Sequence, residues 1–234
     1  MELAKLNFAC VYYGDKYLIE YVEKLYNMVQ RHTTLSHNFI CFTDSTIIQR
    51  RLKRTLPGHK IIFRQFHRHD FKGWFNKLQL FSPEAELVGN TLYMDLDVVI
   101  LDNIDCFFTC GKDHNFVGMN DFNPSSGQFN SSIMKFNNTT TSKLIWEEYM
   151  KRRTDFKKHA GDQNIITDLI KKHKDTISFP DSWTQSYKWY DRKGERFHNS
   201  KWTFEQHPEA KVCVFHGSPN PHDSDQEWVK NNWK

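Results

Sequence analysis

Four apolar runs in the first hundred residues, each separated from the next by a charged or amphipathic stretch, limit what this chain can fold into. "LNFACVYY" (6–13), "HNFICFTD" (37–44), "HKIIFRQF" (59–66) and "NTLYMDLDVVIL" (90–101) read as strands. After the first, Gly14 and Asp15 open "KYLIEYVEKLYNMVQRH", whose Leu18, Val22, Leu25 and Val29 recur at helical spacing. A basic helix follows the second run and stops near Pro57–Gly58; "KGWFNKLQLFS" (72–82) reads as a helix ended by Pro83. Strands alternating with helices predict a parallel sheet with helices on both faces. In such sheets ligands bind outside the carboxyl ends of the strands. The polar ends of three runs, at Tyr12–Tyr13–Gly14–Asp15, Thr43–Asp44 and Asp95–Leu96–Asp97, should therefore converge on one crevice.

The rest of the chain is less regular. "HNFVGMND" (114–121), "SSIMKF" (131–136) and "KVCVFHG" (211–217) read as strands. "SKLIWEEYMKRR" (142–153) and "GDQNIITDLIKKH" (161–173) read as helices, and "HDSDQEWVKNNWK" (222–234) as a short amphipathic helix or lid. No internal repeat or low-complexity segment is present. The length of 234 residues, with 38% hydrophobic residues, suits one α/β domain with a substantial core. A net charge of +4 with dispersed cations excludes a nucleic-acid signature but suits a substrate carrying phosphates. Five cysteines lack a second Cys/His pair at zinc spacing, and Cys10, Cys41 and Cys213 lie in apolar runs. They read as buried, reduced residues. The N-terminus carries no signal peptide and no run is long enough to span a bilayer. A cytoplasmic protein is expected.

Two aspartates inside an apolar run raise the chemical question. If the strand stays extended, Asp95 and Asp97 point to the same side, and two carboxylates that close repel each other. A divalent cation removes the difficulty, and hard oxygen ligands suit Mg²⁺ or Mn²⁺, which also take phosphate oxygens. A surface turn holding two aspartates by chance fits poorly with such apolar flanks. Three chemistries compete. "YMDLDVV" resembles the strand end of the aspartyl-nucleophile (haloacid-dehalogenase-like) phosphatases, but here the strand comes fourth rather than first. "GDQNII" also has Ile166 where the later acidic residue of that class belongs. A non-catalytic nucleotide-sugar binding module is the second reading.

The third rests on four motifs in order: the "DLD" element after three β-α units, "FNSSIMKF" (129–136), "GDQNII" (161–166) and "VFHGSPNP" (214–221). Together they resemble the GT-A nucleotide-sugar glycosyltransferases, most of all the family-eight retaining enzymes and related viral and bacterial transferases, and the resemblance covers the whole chain. It implies an α/β fold of GT-A type, with a Rossmann-like, mostly parallel sheet and a smaller irregular acceptor-side half. The whole chain would be one domain, residues 1–103 holding the nucleotide and 104–234 the sugar and acceptor. It also implies Mn²⁺ or Mg²⁺ as cofactor, with Asp95, Asp97 and His216 as ligands, Asp95 also touching the ribose.

By the same resemblance, the base lies over the first strand end. Tyr12 or Tyr13 would stack on it, with packing at the core edge as the alternative, and Asp44 would bond uracil N3 or a ribose hydroxyl. Lys77 would pair with a phosphate or with the aspartates. Gly217 would let the backbone approach the diphosphate. The family has Lys before the final Pro of its last motif; this chain has Asn220, which can hydrogen-bond a phosphate but brings no charge. Asp121, Asn130, Ser131, Asp162 and Gln163 would frame the sugar, although Asp162 also suits a helix cap. Ser132 stands where the family has Gly, which would narrow the sugar pocket. Trp183, Trp189 and Trp202, in the aromatic stretch 182–202, would form an acceptor platform or a small satellite core.

The implied reaction is transfer of a sugar from a nucleotide diphosphate to a glycan hydroxyl. UDP is the expected nucleotide and GDP its rival. Retention is the expected stereochemistry; an inverting enzyme would need a carboxylate base, with Asp162 first and Asp121 second. A bacterial or viral enzyme acting in the cytoplasm is expected.

Overall fold

A computed structural model describes residues 6–158, 161–188, 206 and 208–234. The first half follows the alternation read from sequence. Strand β1 (Leu6–Tyr12), helix α1 (Glu20–His32), β2 (Asn38–Thr43), α2 (Ile48–Thr55), β3 (Ile61–Gln65) and β4 (Asn90–Met94) succeed one another. In α1 the side chains of Val22, Leu25 and Val29 are fully buried, as their spacing requires. Leu18 falls before the helix and is exposed. All three strand pairs among these four are parallel, β3 with β2, β2 with β1 and β1 with β4, so their carboxyl ends share one edge.

The segment between β3 and β4 winds more tightly than expected. Gly73–Phe81 is a 3₁₀ helix of nine residues. Every residue from Asn76 to Phe81 is buried, so no solvated face selects the 3.6-residue period. Three residues per turn stack Trp74 and Lys77 on one side.

The second half completes the same sheet. Strand β7 (Phe129–Asn137) pairs antiparallel with β4 and with β6 (Phe116–Asn120), and β8 (Thr176–Ser178) closes the far edge. The order is β3-β2-β1-β4-β7-β6-β8. A second sheet holds β5 (Val98–Ile100), β10 (Val212–Val214) and β9 (Thr184–Ser186) in the order β5-β10-β9. Helix α3 (Asp105–Thr109) follows β5. A helical stretch follows β7, made of α4 (Asn138–Thr141), a π-helical segment (Ser142–Glu147) and α5 (Glu148–Lys151). Helix α6 (Asp162–Ile170) precedes β8, and α7 (Glu227–Asn232) lies near the C-terminus. The five cysteines are free, with Cys10, Cys41 and Cys213 buried as expected. No helix among the described residues is long and apolar enough to cross a membrane.

One expectation is corrected. "NTLYMDLDVVIL" is not one strand ending in aspartates. The chain breaks at Asp95–Leu96–Asp97, leaving β4 in the large sheet and β5 in the small one. Both flanks are apolar because both pack into one core, Leu92 and Met94 from one sheet beside Val98, Val99 and Ile100 from the other, so the run looks continuous in sequence. The Asp95 N–H still donates to the Ser132 carbonyl in β7, at 2.9 Å. The Asp97 carbonyl accepts the Phe215 N–H just after β10, at 3.0 Å. The two aspartates are thus anchored to two sheets, at the seam between them.

Candidate active site

The seam faces the loop after β1. There the Gly14 N–H donates to the Asp44 carboxylate at 3.2 Å, which joins the ends of β1 and β2. The Tyr17 hydroxyl donates to Asp97 Oδ2 at 2.9 Å, which joins the same loop to the aspartates. The three strand ends therefore converge as the sheet topology predicts. Tyr12 is buried in the core, the alternative its position allowed, and burial with the neighbouring Asp44 raises its phenol. Tyr13 is half-buried and meets the Phe66 ring edge-on, centroids 6.1 Å apart.

Asp95 and Asp97 have different partners. Asp95 Oδ1 lies 3.0 Å from Lys77 Nζ and accepts the Tyr93 hydroxyl. Burial opposes ionisation of Asp95, but Lys77 and Tyr93 outweigh it and hold the carboxyl below the usual range. Asp97 is buried and feels Asp95 as a like charge. Both effects push its carboxyl up, against the bonds from Tyr17 and from the Gly217 N–H at 3.5 Å.

Lys77 is the hub. Its ammonium lies 3.1 Å from Asp162 Oδ2, 3.2 Å from the Ser131 carbonyl and 3.1 Å from Ser131 Oγ. Burial disfavours the charge, but Asp162 and Asp95 raise the ammonium above its usual range. Lys77 is buried rather than an exposed helix lysine, and it pairs with aspartates. Its three N–H groups are taken by protein oxygens. Asp162 is not a cap either: Gly161 holds the cap position of α6 and Asp162 begins the first turn, turned toward Lys77.

The remaining polar residues line up beside this hub. Asn130 is buried and its Oδ1 accepts the Ser132 N–H at 2.9 Å. Gln163 Nε2 reaches Asp121 Oδ2 at 3.5 Å and Gln128 Oε1 at 3.4 Å. This brings Asp121, Asn130, Ser131, Asp162 and Gln163 onto neighbouring elements. Trp183 stands apart: its ring packs edge-on against Phe107, centroids 5.2 Å apart, and tilted against Phe179, at the edge of the main core. Trp189 and Trp202 lie outside the described residues.

Downstream of β10, His216 and Gly217 both have positive φ, 33° and 96°. For Gly217 this needs a residue without Cβ. The His216 ring stacks on Phe122 and its Nε2 lies 2.6 Å from Ser186 Oγ. Asn220 precedes a short 3₁₀ turn, and its N–H donates to Asp223 Oδ2 at 2.8 Å.

The Asp95–Asp97 pair supplies oxygen donors, and the repulsion that raises Asp97 is what a cation would offset. The pair fits a hard divalent cation. His216 is the weaker member, since Nε2 is engaged by Ser186, and among the described residues no three His, Cys, Asp or Glu side chains form a ligand group.

Four residues the sequence reading missed contact the site: Tyr17 on Asp97, Tyr93 on Asp95, Ser186 on His216, and Lys188, whose Nζ donates to the His216 carbonyl at 3.0 Å. Tyr93 carried a signal, two residues before Asp95 on the same strand. Ser186 and Lys188 carried none.

No protein-family model matches the chain, and no curated protein matches it in sequence. Solved structures do. An active-site mutant of LgtC superposes with a TM-score of 0.69 at 14% identity, over 96% of this chain and 93% of that one. The fold is of the GT-A type. The galactosyltransferase LgtC in complex with donor and acceptor sugar analogues matches with a TM-score of 0.65 at 13% identity, over 97% of this chain and 96% of that one. The glycosyltransferase GlyE of Streptococcus pneumoniae matches with a TM-score of 0.68 at 14% identity, over 99% of this chain but 60% of that one. The expected fold class, α/β of GT-A type with a mostly parallel sheet, is the one observed; the sheet has seven strands, and the chain adds a three-stranded sheet.

Proposed function

We propose that the chain is a metal-dependent glycosyltransferase that moves a sugar from a nucleotide diphosphate, UDP by preference, to a glycan hydroxyl with retention. The observation that carries this reading is the seam at Asp95–Leu96–Asp97. It places two carboxylates and the Lys77–Asp162 pair at the carboxyl edge of a GT-A sheet.

Residues 1–103 form the nucleotide side of this reading. Tyr13 and Asp44 hold the nucleoside, and Asp95 reaches the ribose. Residues 104–234 form the sugar and acceptor side. Asp95 and Asp97 would hold Mn²⁺ or Mg²⁺, joined by His216 on release from Ser186. The cation, when bound, stabilises negative charge on the leaving diphosphate. Gly217 lets the backbone approach that group, and Asn220 contributes an amide.

Asp162 and Gln163 bind sugar hydroxyls, with Asn130, Ser131 and Asp121 completing the pocket and Ser132 narrowing it. Lys77 fixes Asp162 and Asp95 relative to each other, so the sugar and nucleotide subsites hold one spacing. Asp162, engaged by an ammonium, orients and stabilises rather than removing a proton, which accords with retention. The indole Nε1 of the exposed Trp74 lies 3.2 Å from where a Cβ on Gly161 would sit. It offers the acceptor a ring beside Asp162.

The test is a panel of UDP- and GDP-sugars incubated with Mn²⁺. Release of UDP from one of them supports the reading. Phosphate release from simple phosphomonoesters, or tight nucleotide-sugar binding with no turnover on any acceptor, would replace it with the phosphatase or the binding module.

A further inference from the structure

Lys188 follows β9 by two residues and is half-buried. Among the described residues, the hydrogen bond from its Nζ goes to a neutral acceptor, the His216 carbonyl, at 3.0 Å. Among the described residues it makes no ion pair. A Cβ on Gly217 would lie 3.4 Å from the same Nζ, so the ammonium stands directly over the glycine that bonds Asp97. Lys16 lies near the same carboxylate. It lies over the Tyr17 ring, 4.5 Å from its centroid, and the Tyr17 hydroxyl bonds Asp97. Lys16 and Lys188 both interact with Asp97 and repel each other.

Among the described residues Asp97 is the anion Lys188 feels, and no carboxylate is within ion-pair reach; a half-buried ammonium with a second cation in its field is unfavourable unless a further anion completes the group. The other cation of the site, Lys77, is spent on Asp95, Asp162 and Ser131. Asn220 brings no charge.

We propose that Lys188, with Lys16 facing it, forms the binding site for the distal phosphate of a nucleoside diphosphate, on the far side of Asp97 from Lys77. The inference rests on the glycosyltransferase reading and names the residue that supplies its missing charge. The cations and the carboxylates then alternate along the seam: Lys77 with Asp95 and Asp162, then Asp97, then Lys188 and Lys16. A diphosphate bridges from the Asp97 side to the two lysines, with each phosphate facing positive charge. Arg keeps the charge at 188, whereas Met keeps only the stem.

The experiment is calorimetric binding of UDP and of uridine, each with Mn²⁺, to the wild-type chain, Lys188→Met and Lys188→Arg, with thermal melting to verify folding. Lys188→Met is expected to weaken UDP about tenfold to a hundredfold, the range for a charge-assisted hydrogen bond, and to leave uridine unchanged. Lys188→Arg should recover most of the loss. Wild-type affinity for UDP in a folded Lys188→Met protein overturns the assignment while leaving the glycosyltransferase reading intact. An equal loss for UDP and uridine also overturns it, because Lys188 would then be shaping the loop. Failure of the wild-type chain to bind any nucleoside diphosphate overturns both.

Discussion

The Asp162 carboxylate lies 3.1 Å from the Lys77 ammonium, and both side chains are only 7% exposed. One residue comes from the 3₁₀ helix before β4 and the other from the start of α6. The pair therefore ties the two halves of the chain together beneath the site. A buried ion pair is costly to make, but far costlier to break on one side.

Replacing Lys77 with Met leaves Asp95 and Asp162 uncompensated. The expected loss is about 3–5 kcal/mol of folding stability, measured by urea denaturation. The double variant Lys77→Met/Asp162→Asn should be less destabilised than the sum of its parts, because the second change removes a buried charge the first one orphans.

Asp162→Asn alone keeps the shape of the side chain and removes its charge. If Asp162 stabilises the transition state at the sugar, kcat should fall by about 10²–10³-fold with donor KM little changed. A fall in donor affinity with kcat preserved would instead assign Asp162 to ground-state binding.

Gly118 lies in β6, where a Cβ would come within 2.6 Å of the Phe129 ring. Phe129 begins the strand that carries Asn130 and Ser131. Gly118→Ala should cost about 1–3 kcal/mol by overpacking and raise donor or acceptor KM as that strand shifts. Thermal melting and steady-state kinetics on the same sample separate the two effects.

Asp105 gives a pH signature away from the site. Burial pushes its carboxyl up, but hydrogen bonds from Thr33, Thr34 and Asn103 outweigh burial and bring it down to about 2. A carboxyl whose folded value lies below its unfolded value of about 3.9 adds stability above the unfolded value. That stability is lost as pH falls through the folded one. Stability should therefore decline between about pH 4 and about pH 2. Asp105→Asn should flatten that part of the curve, as followed by chemical denaturation at several pH values.

The fold was largely legible because its signals are local. Val22, Leu25 and Val29 mark the buried face of α1, and the polar ends of β1 and β2 mark the edge where Gly14 meets Asp44. What sequence hid depends on contacts between distant segments. The split of the aspartate run is invisible because Leu92 and Val99 are equally apolar, though they enter different sheets. The 3₁₀ winding around Lys77 is hidden because every residue from Asn76 to Phe81 is buried, which leaves no alternation of buried and exposed positions to read. Within the site, the aspartates, Asp162 and His216 stood out through motif order. Lys188 did not, since it sits in an aromatic stretch with no pattern of its own and gains meaning only where the chain returns to His216.

The central claim is that Asp95 and Asp97 hold a divalent cation that grips a nucleotide diphosphate. Calorimetric titration of UDP into the wild-type chain and Asp97→Asn, each with Mn²⁺ and with EDTA, tests it most directly. The account predicts UDP binding to the wild-type chain that requires Mn²⁺ and disappears in the folded variant. Equal UDP affinity with and without metal, or Mn²⁺-dependent binding that survives in Asp97→Asn, would contradict it.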